Sequence, residues 1–384
     1  MPDATPLIAV RMAPLASTVE VLHRLWDDGA AVLPLPDEGA AASRLMAAAR
    51  PTGVWTETGV VARTDGVGVA DGTALVVATS GSTGAPRSVV LSRSAVEASA
   101  RASLRRIEVA DSDRWLCCLP LHHIAGLQVV VRSRLMGAAP VVLPRFDPVE
   151  IAARRDASLI ALVPTMLRRL LAARVDLSHL RTVLLGGATA PRWLLAEARA
   201  AGLTVVQTYG MTETSGGCVY DGVPLGGVEV RLDDAGRIHV RGPVLFDGYR
   251  FGDRRDVLAG GWLRTADLGR LTGGRLVVEG RADDVIITGG ENVAADAVAD
   301  LLERHPAVAE AAVVGRPDPE WGEVVIAVVV PHGTTPPSLP ELRDFVGAAM
   351  GRHAAPRDLV VVTALPRLAN GKLDRLATKA LAAG

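Results

Sequence analysis

Short apolar runs recur along the chain, separated by stretches long enough for helices. Between residues 73 and 209 the runs at 74–79, 115–119, 140–143, 159–163, 183–185 and 204–207 read as strands. The stretches 94–107, 122–136, 148–155, 164–174 and 192–201 read as helices. Strands alternating with helices of this length predict parallel α/β sheets with helices on their faces. From residue 226 the pattern changes. Residues 228–232 and 237–241 alternate apolar with polar and flank the turn Asp233-Asp234-Ala235-Gly236, a hairpin signal, and short strands continue to Glu279. A second change falls near Arg281. Beyond it, 293–304 and 339–350 read as helices and 309–314 and 323–330 as strands, together a small α+β domain. The Pro-rich stretch 334–340 reads as a loop inside that domain. No internal repeat is evident.

Composition narrows the class. The chain has 384 residues and is 49% hydrophobic, enough for two or three domains with real cores and unlike a disordered chain. Lys and Arg number 41 against 42 Asp and Glu, so bulk charge points to neither nucleic acid nor an acidic membrane. Aromatics at 3% are too sparse for a base-stacking platform. No apolar run approaches the ~20 residues of a membrane span, and the N-terminus has no basic segment leading into an apolar one. Cys117, Cys118 and Cys218 are odd in number and form no CxxC pair. They read as reduced core thiols of a cytoplasmic protein.

Five segments carry chemistry. Thr79-Ser80-Gly81-Ser82-Thr83-Gly84 follows an apolar strand and offers hydroxyls and unhindered N–H groups to an anion. It falls short of a Walker A loop, because Pro86 and Arg87 stand where Gly and Lys belong. Gln207-Thr208-Tyr209-Gly210-Met211-Thr212-Glu213 follows another strand, at the end of a parallel sheet where ligands bind. Its Glu213 is a hard oxygen ligand suited to Mg²⁺, and Tyr209 offers a flat face. Asp267 closes a glycine-flanked segment from Gly260 and reads as a loop residue able to accept from ribose hydroxyls. Gly280-Arg281-Ala282-Asp283-Asp284 marks the second change of pattern. Lys372 follows the turn-forming pair Asn370-Gly371 near the C-terminus.

In this order the five segments resemble the adenylate-forming superfamily of acyl- and aryl-CoA synthetases, luciferases and peptide-synthetase adenylation domains, from about Thr73 to Lys372. The resemblance implies a large AMP-binding domain over 1–281, made of α/β sheets plus a small β-barrel-like part. It implies a small mobile α+β domain over 282–384 that carries the catalytic lysine. It gives Thr79, Ser80, Gly81, Ser82, Thr83 and Gly84 the ATP phosphates, with Arg87 in place of the usual lysine. Gly186, Gly187 and Ala188 would lie along adenine and the acyl pocket, with Gln207 on the adenine amide and Tyr209 stacked on the base. Gly210, Met211 and Thr212 complete the nucleotide contacts, and Glu213 with Thr83 would serve Mg²⁺. Asp267 and Arg281 match the ribose contacts, Asp283 the hinge, Gly289 and Gly290 the CoA tunnel, and Lys372 the adenylation lysine.

Leu119-Pro120-Leu121-His122-His123 resembles a segment of acyl-CoA synthetases that sets His123 at the reacting carboxylate. Gly126 on the helix after it would leave room for a ring. Ser215 and Gly216 are candidates for the acyl substrate's other end, while Arg134 reads as a cation at the helix C-terminus. Within the superfamily, the stretch 209–222 and the 78 residues before Thr79, a short lead-in, resemble the o-succinylbenzoate–CoA ligases. That implies o-succinylbenzoate, ATP and CoA as small-molecule substrates, joined through an acyl-adenylate. It implies no nucleic-acid partner and is compatible with a homo-oligomer. Two other readings stay open: another aryl- or fatty-acyl-CoA ligase, and a nucleotide-binding regulator without catalysis.

Overall fold

The computed structural model describes residues 4–37, 39–79, 87–252, 257–367 and 373–383. The chain divides into two compact units, Met1–Val230 with Val240–Arg264 and Arg231–His239 with Thr265–Gly384. The expected α/β architecture is what forms.

Among the described residues the first unit holds two seven-stranded sheets. One runs Val223–Pro224, Gly216–Tyr220, Val205–Met211, Thr182–Leu185, Leu159–Leu162, Trp115–Cys117, Val141–Val142. Its strands are parallel from Val141–Val142 through Val205–Met211, and the last two fold back antiparallel. Helices Pro148–Ala153, Pro164–Ala172 and Arg192–Ala200 lie between these strands in sequence, and Ile151, Leu167, Leu170 and Leu194 are buried against Ile160, Leu162, Val183 and Leu185. Every residue of Leu159–Leu162 and Thr182–Leu185 is buried, as expected of parallel strands covered on both faces.

The other sheet draws on residues that the apolar pattern left unread. Leu7–Arg11 pairs parallel with Ala31–Leu35 and Gly53–Thr56, and Ala31–Leu35 pairs with Thr73–Ala78. Thr73–Ala78 then pairs antiparallel with Ser88–Ser92, which pairs with Gly248–Tyr249. The element that follows Thr73–Ala78 in the chain is the strand Ser88–Ser92, whereas a Walker A loop is followed by a helix.

The second unit shows why 324–330 is a continuous apolar run. In the strand Gly322–Pro331, Val325, Ala327 and Val329 face a cluster with Val298, Leu302, Leu342 and Val346 of two helices. Val324, Ile326 and Val328 face an opposite cluster with Leu365 and Ala382. A period of two with both faces covered leaves no polar position. Helix Leu339–Met350 starts where a capping box forms: Glu341 N–H donates to Ser338 Oγ and Ser338 N–H to Glu341 Oε2.

Three expectations are corrected. The strand expected at 204–207 runs on to Met211, because the chain returns as Gly216–Tyr220 and pairs with it. The helix expected at 293–304 begins at Ala295, since Glu291–Ala294 pairs antiparallel with Val285–Thr288. Asp267 lies in the strand Trp262–Thr272 and not in a loop, its cross-strand partner being Arg281. That pairing, with Thr265 Oγ1 donating to Ile238 O at 2.8 Å, groups residues 265–281 and 231–239 with the second unit.

Candidate functional site

In the first unit the site residues gather at the C-terminal ends of Thr182–Leu185 and Val205–Met211, where Leu185 stands beside Gln207. Beyond Leu185 the backbone passes so close to the next strand that a Cβ on Gly186 would lie 2.3 Å from Thr208 Oγ1. Gly187 takes φ +85°, a conformation suited to glycine. A ligand laid along Gly186–Ala188 would meet main chain first.

The strand Val205–Met211 then bulges between Tyr209 and Gly210 and closes against Gly216–Tyr220. At Gly210 the strands are in direct backbone contact: a Cβ there would lie 2.1 Å from Gly216 O. The tip is the 3₁₀ turn Thr212–Thr214. Met211 N–H donates to Thr214 Oγ1 at 2.9 Å, and Thr214 Oγ1 donates to Gly216 O at 2.7 Å. Ser215 takes φ +53°. It is fully buried; its Oγ donates to Val244 O, and its carbonyl accepts from Ser99 Oγ at 3.0 Å and Gln128 Nε2 at 2.7 Å. The Ser215 side chain is thus committed to holding the turn, which corrects its expected availability to a substrate carboxylate.

The turn presents Glu213. Its carbonyl accepts from Phe246 N–H at 2.9 Å, and its Oε1 accepts from Tyr249 OH at 2.9 Å. Burial, followed by the Glu213 carboxylate, pushes the Tyr249 phenol up to about 12, against the pull of Arg87. The phenol therefore stays a donor at neutral pH. Among the described residues the hydrogen bonds to the Glu213 side chain engage Oε1 alone, so Oε2 fits a hard cation.

Thr79 and Arg87 bracket the phosphate-loop segment. Thr79 N–H donates to Arg87 O at 2.9 Å, and the Arg87 guanidinium lies 5.2 Å from the Tyr249 ring centroid. Ser80, Gly81, Ser82, Thr83 and Gly84 lie outside the described residues, as does Lys372.

His123 is the N-cap residue of helix Ile124–Leu135, with extended backbone and no capping hydrogen bond from its side chain. Its ring is 4.2 Å from that of His122, whose pKa burial lowers. Gly126 does not leave room for a ring. A Cβ there would lie 2.4 Å from Pro120 O, so the glycine admits the preceding backbone. Arg134 pairs with Asp27.

The second unit gathers the rest. The Arg281 guanidinium is 3.8 Å from Asp267 and 3.2 Å from Asp283, and its Nε is 3.8 Å from Asp284. Asp283 sits in the 3₁₀ turn Ala282–Asp284. Gly289 and Gly290, with φ +59° and +85°, form the two-residue turn between Val285–Thr288 and Glu291–Ala294. Positive φ at both positions is what such hairpins require, which gives the pair a structural reason of its own. Tyr249 and Gln128 belong to the site's frame and escaped the sequence reading. Tyr249 had one signal, since the chain holds three tyrosines and this one had no assigned place.

Comparison with known families matches the AMP-binding enzyme over residues 26–250 and the AMP-binding enzyme C-terminal domain over 297–372. The chain belongs to the AMP-binding enzyme family. A probable 2-succinylbenzoate–CoA ligase of Mycobacterium tuberculosis is 46% identical over 323 residues, covering 80% of this chain and 84% of that one. A 2-succinylbenzoate–CoA ligase of Bacillus subtilis (strain 168) is 36% identical over 333 residues, 79% and 68% of the two chains. Among solved structures, o-succinylbenzoate CoA synthetase from Bacillus subtilis with the acyl-adenylate intermediate superposes with TM-score 0.79 at 30% identity, covering 98% of this chain and 89% of that one. The form with ATP and magnesium ion gives 0.86 at 29% identity, covering 97% and 89%. No helix among the described residues is long and apolar enough to cross a membrane, and Cys117, Cys118 and Cys218 are buried and in no disulfide.

Proposed function

We propose that this chain is an ATP-dependent acid–thiol ligase that makes o-succinylbenzoyl-CoA from o-succinylbenzoate, ATP and CoA, in menaquinone biosynthesis. The likeness to 2-succinylbenzoate–CoA ligases over most of the chain carries the reading. The strand-end site, with the Glu213 carboxylate held by Tyr249, supports it. Its buried thiols, none of them in a disulfide, suit the cytoplasm.

A carboxylate is a poor acyl donor. In the first step its oxygen attacks the ATP α-phosphorus and the bond to pyrophosphate breaks. In the second, the CoA thiolate attacks the acyl carbon and AMP leaves with the electron pair of the C–O bond. Both pairs of reactants are anionic, so the protein's task is alignment and charge neutralisation. Thr79, Gly84 and the hydroxyls between them would hold the β- and γ-phosphates. Gly186–Ala188 and Gln207–Met211 would hold adenine and the acyl group, with Tyr209 against the base, Thr212 on the α-phosphate and His123 at the reacting carboxylate. A magnesium ion on Glu213 and Thr83 would supply positive charge to the triphosphate. Asp267 and its cross-strand partner Arg281 would take the ribose. Lys372 would neutralise the α-phosphate in the first step only. We place the functional boundary at 281/282, with Asp283 as the pivot that exchanges Lys372 for the CoA loop at Gly289 and Gly290.

A pyrophosphate-release assay with CoA tests the reading on o-succinylbenzoate, 4-phenylbutyrate, benzoate and octanoate. Loss of a charged hydrogen bond in a closed site predicts at least about a 100-fold lower kcat/KM for substrates without the second carboxylate. Equal turnover of octanoate or benzoate would leave a general acyl-CoA synthetase in place of this one.

A further inference from the structure

Arg87, Tyr249 and Glu213 come from three distant stretches of chain and meet in a row. The Tyr249 hydroxyl donates to Glu213 Oε1 at 2.9 Å, and the Arg87 guanidinium lies over the Tyr249 ring at 5.2 Å. The ring is fixed from two further directions. Its backbone pairs with Val89, two residues beyond Arg87, and the ring packs in a T-shape with that of Phe246, centroids 5.1 Å apart. Phe246 in turn donates its N–H to the Glu213 carbonyl. A glutamate side chain has three free torsions, and a hydrogen bond from an immobile phenol selects one arrangement of them. A planar guanidinium covers a ring face in a way a lysine ammonium does not.

We propose that Arg87 and Tyr249 are positioning residues for Glu213: Arg87 holds the phenol, the phenol holds Oε1, and Oε2 is turned to the divalent cation. The proposal rests on the reading of Glu213 as the metal-binding carboxylate. It assigns the arginine a reason for standing where a phosphate-contacting lysine was expected. Contact with the nucleotide is not its task.

The experiment measures Mn²⁺ binding by electron paramagnetic resonance on the full chain with α,β-methylene-ATP, which permits no turnover. Metal-free binding of the analogue is followed by calorimetry, and Tm is recorded for every variant. Tyr249→Phe keeps the ring and should weaken Mn²⁺ about 10-fold, the usual cost of losing a group that orients a metal ligand. Metal-free analogue binding and Tm should stay at wild-type values. Arg87→Met should weaken Mn²⁺ in the wild-type background and add nothing to Tyr249→Phe, with Arg87→Lys between the two. An Arg87→Met effect of equal size in both backgrounds would overturn the proposal, as would wild-type Mn²⁺ affinity in Tyr249→Phe. Glu213→Gln separates the two levels. If it loses Mn²⁺ while Tyr249→Phe does not, only the positioning role falls; if Glu213→Gln binds Mn²⁺ normally, the metal-binding role of Glu213 falls and the positioning role with it.

Discussion

Gly210→Ala tests whether the hairpin around 211–216 delivers Glu213. A Cβ at 210 would lie 2.1 Å from Gly216 O and 2.7 Å from Gly217 Cα. Carbon and oxygen on adjoining strands approach to about 3.3 Å, so the strands must part by about 1.2 Å. A backbone hydrogen bond does not survive that stretch. Losing two or three ladder bonds at about 1 kcal/mol each costs about 2–3 kcal/mol, or about 4–12 °C in Tm for a unit of this size. Glu213 is three residues away, and a misplacement of about 1 Å at a reacting group can cost about 100-fold in rate. Tm by calorimetry and kcat/KM by pyrophosphate release measure both effects. Gly186→Ala is the control, because its Cβ would meet Thr208 Oγ1 at 2.3 Å, a side-chain atom. Adding Thr208→Ala should recover most of that loss, whereas Gly210→Ala meets only backbone and has no such rescue. A Gly210→Ala protein within about 2 °C and about threefold of wild type would refute the close-contact reasoning.

Lys372→Ala should lose acyl-adenylate formation by several orders of magnitude yet still convert presynthesised acyl-AMP and CoA to thioester; equal loss in both half-reactions would contradict the two-step exchange. Asp300 is held up to about 7, chiefly by burial and then by Asp296 and Glu303. In the window between its unfolded value near 4 and about 7 the folded state binds the extra proton, so stability is full at low pH and falls as pH rises through about 7. Asp300→Asn should therefore gain Tm over wild type progressively from about pH 4 to about pH 7 and keep that advantage at pH 8, and identical pH profiles for the two proteins would count against a protonated Asp300.

Much of the frame was legible because local rules and tertiary packing agree. The run 159–163 is apolar throughout, since a parallel strand covered on both faces has no solvent side. The helix 339–350 is bounded by Ser338 and Glu341 at its start and by Gly351, at φ +90°, at its end. The family itself was legible from the order of short segments, each weak alone. The first 72 residues were not, for their strands Leu7–Arg11 and Ala31–Leu35 are recognisable only by the sheet they complete.

The sequence by itself determined which chemical groups are available: hydroxyls and glycines at 79–84, a carboxylate at 213, a cation at 372. Only the tertiary structure decided how they are held. Ser215 reads as a free hydroxyl until Val244 is found accepting from it, and Gly126 reads as space until the Pro120 carbonyl fills it. Arg87 reads as a lysine substitute until Tyr249, carried in by pairing of Gly248–Tyr249 with Ser88–Ser92, lies beneath its guanidinium. The physical reason is the same in each case. A side chain's role is set by the partner it meets, and strand pairing brings in partners from positions far away in the sequence.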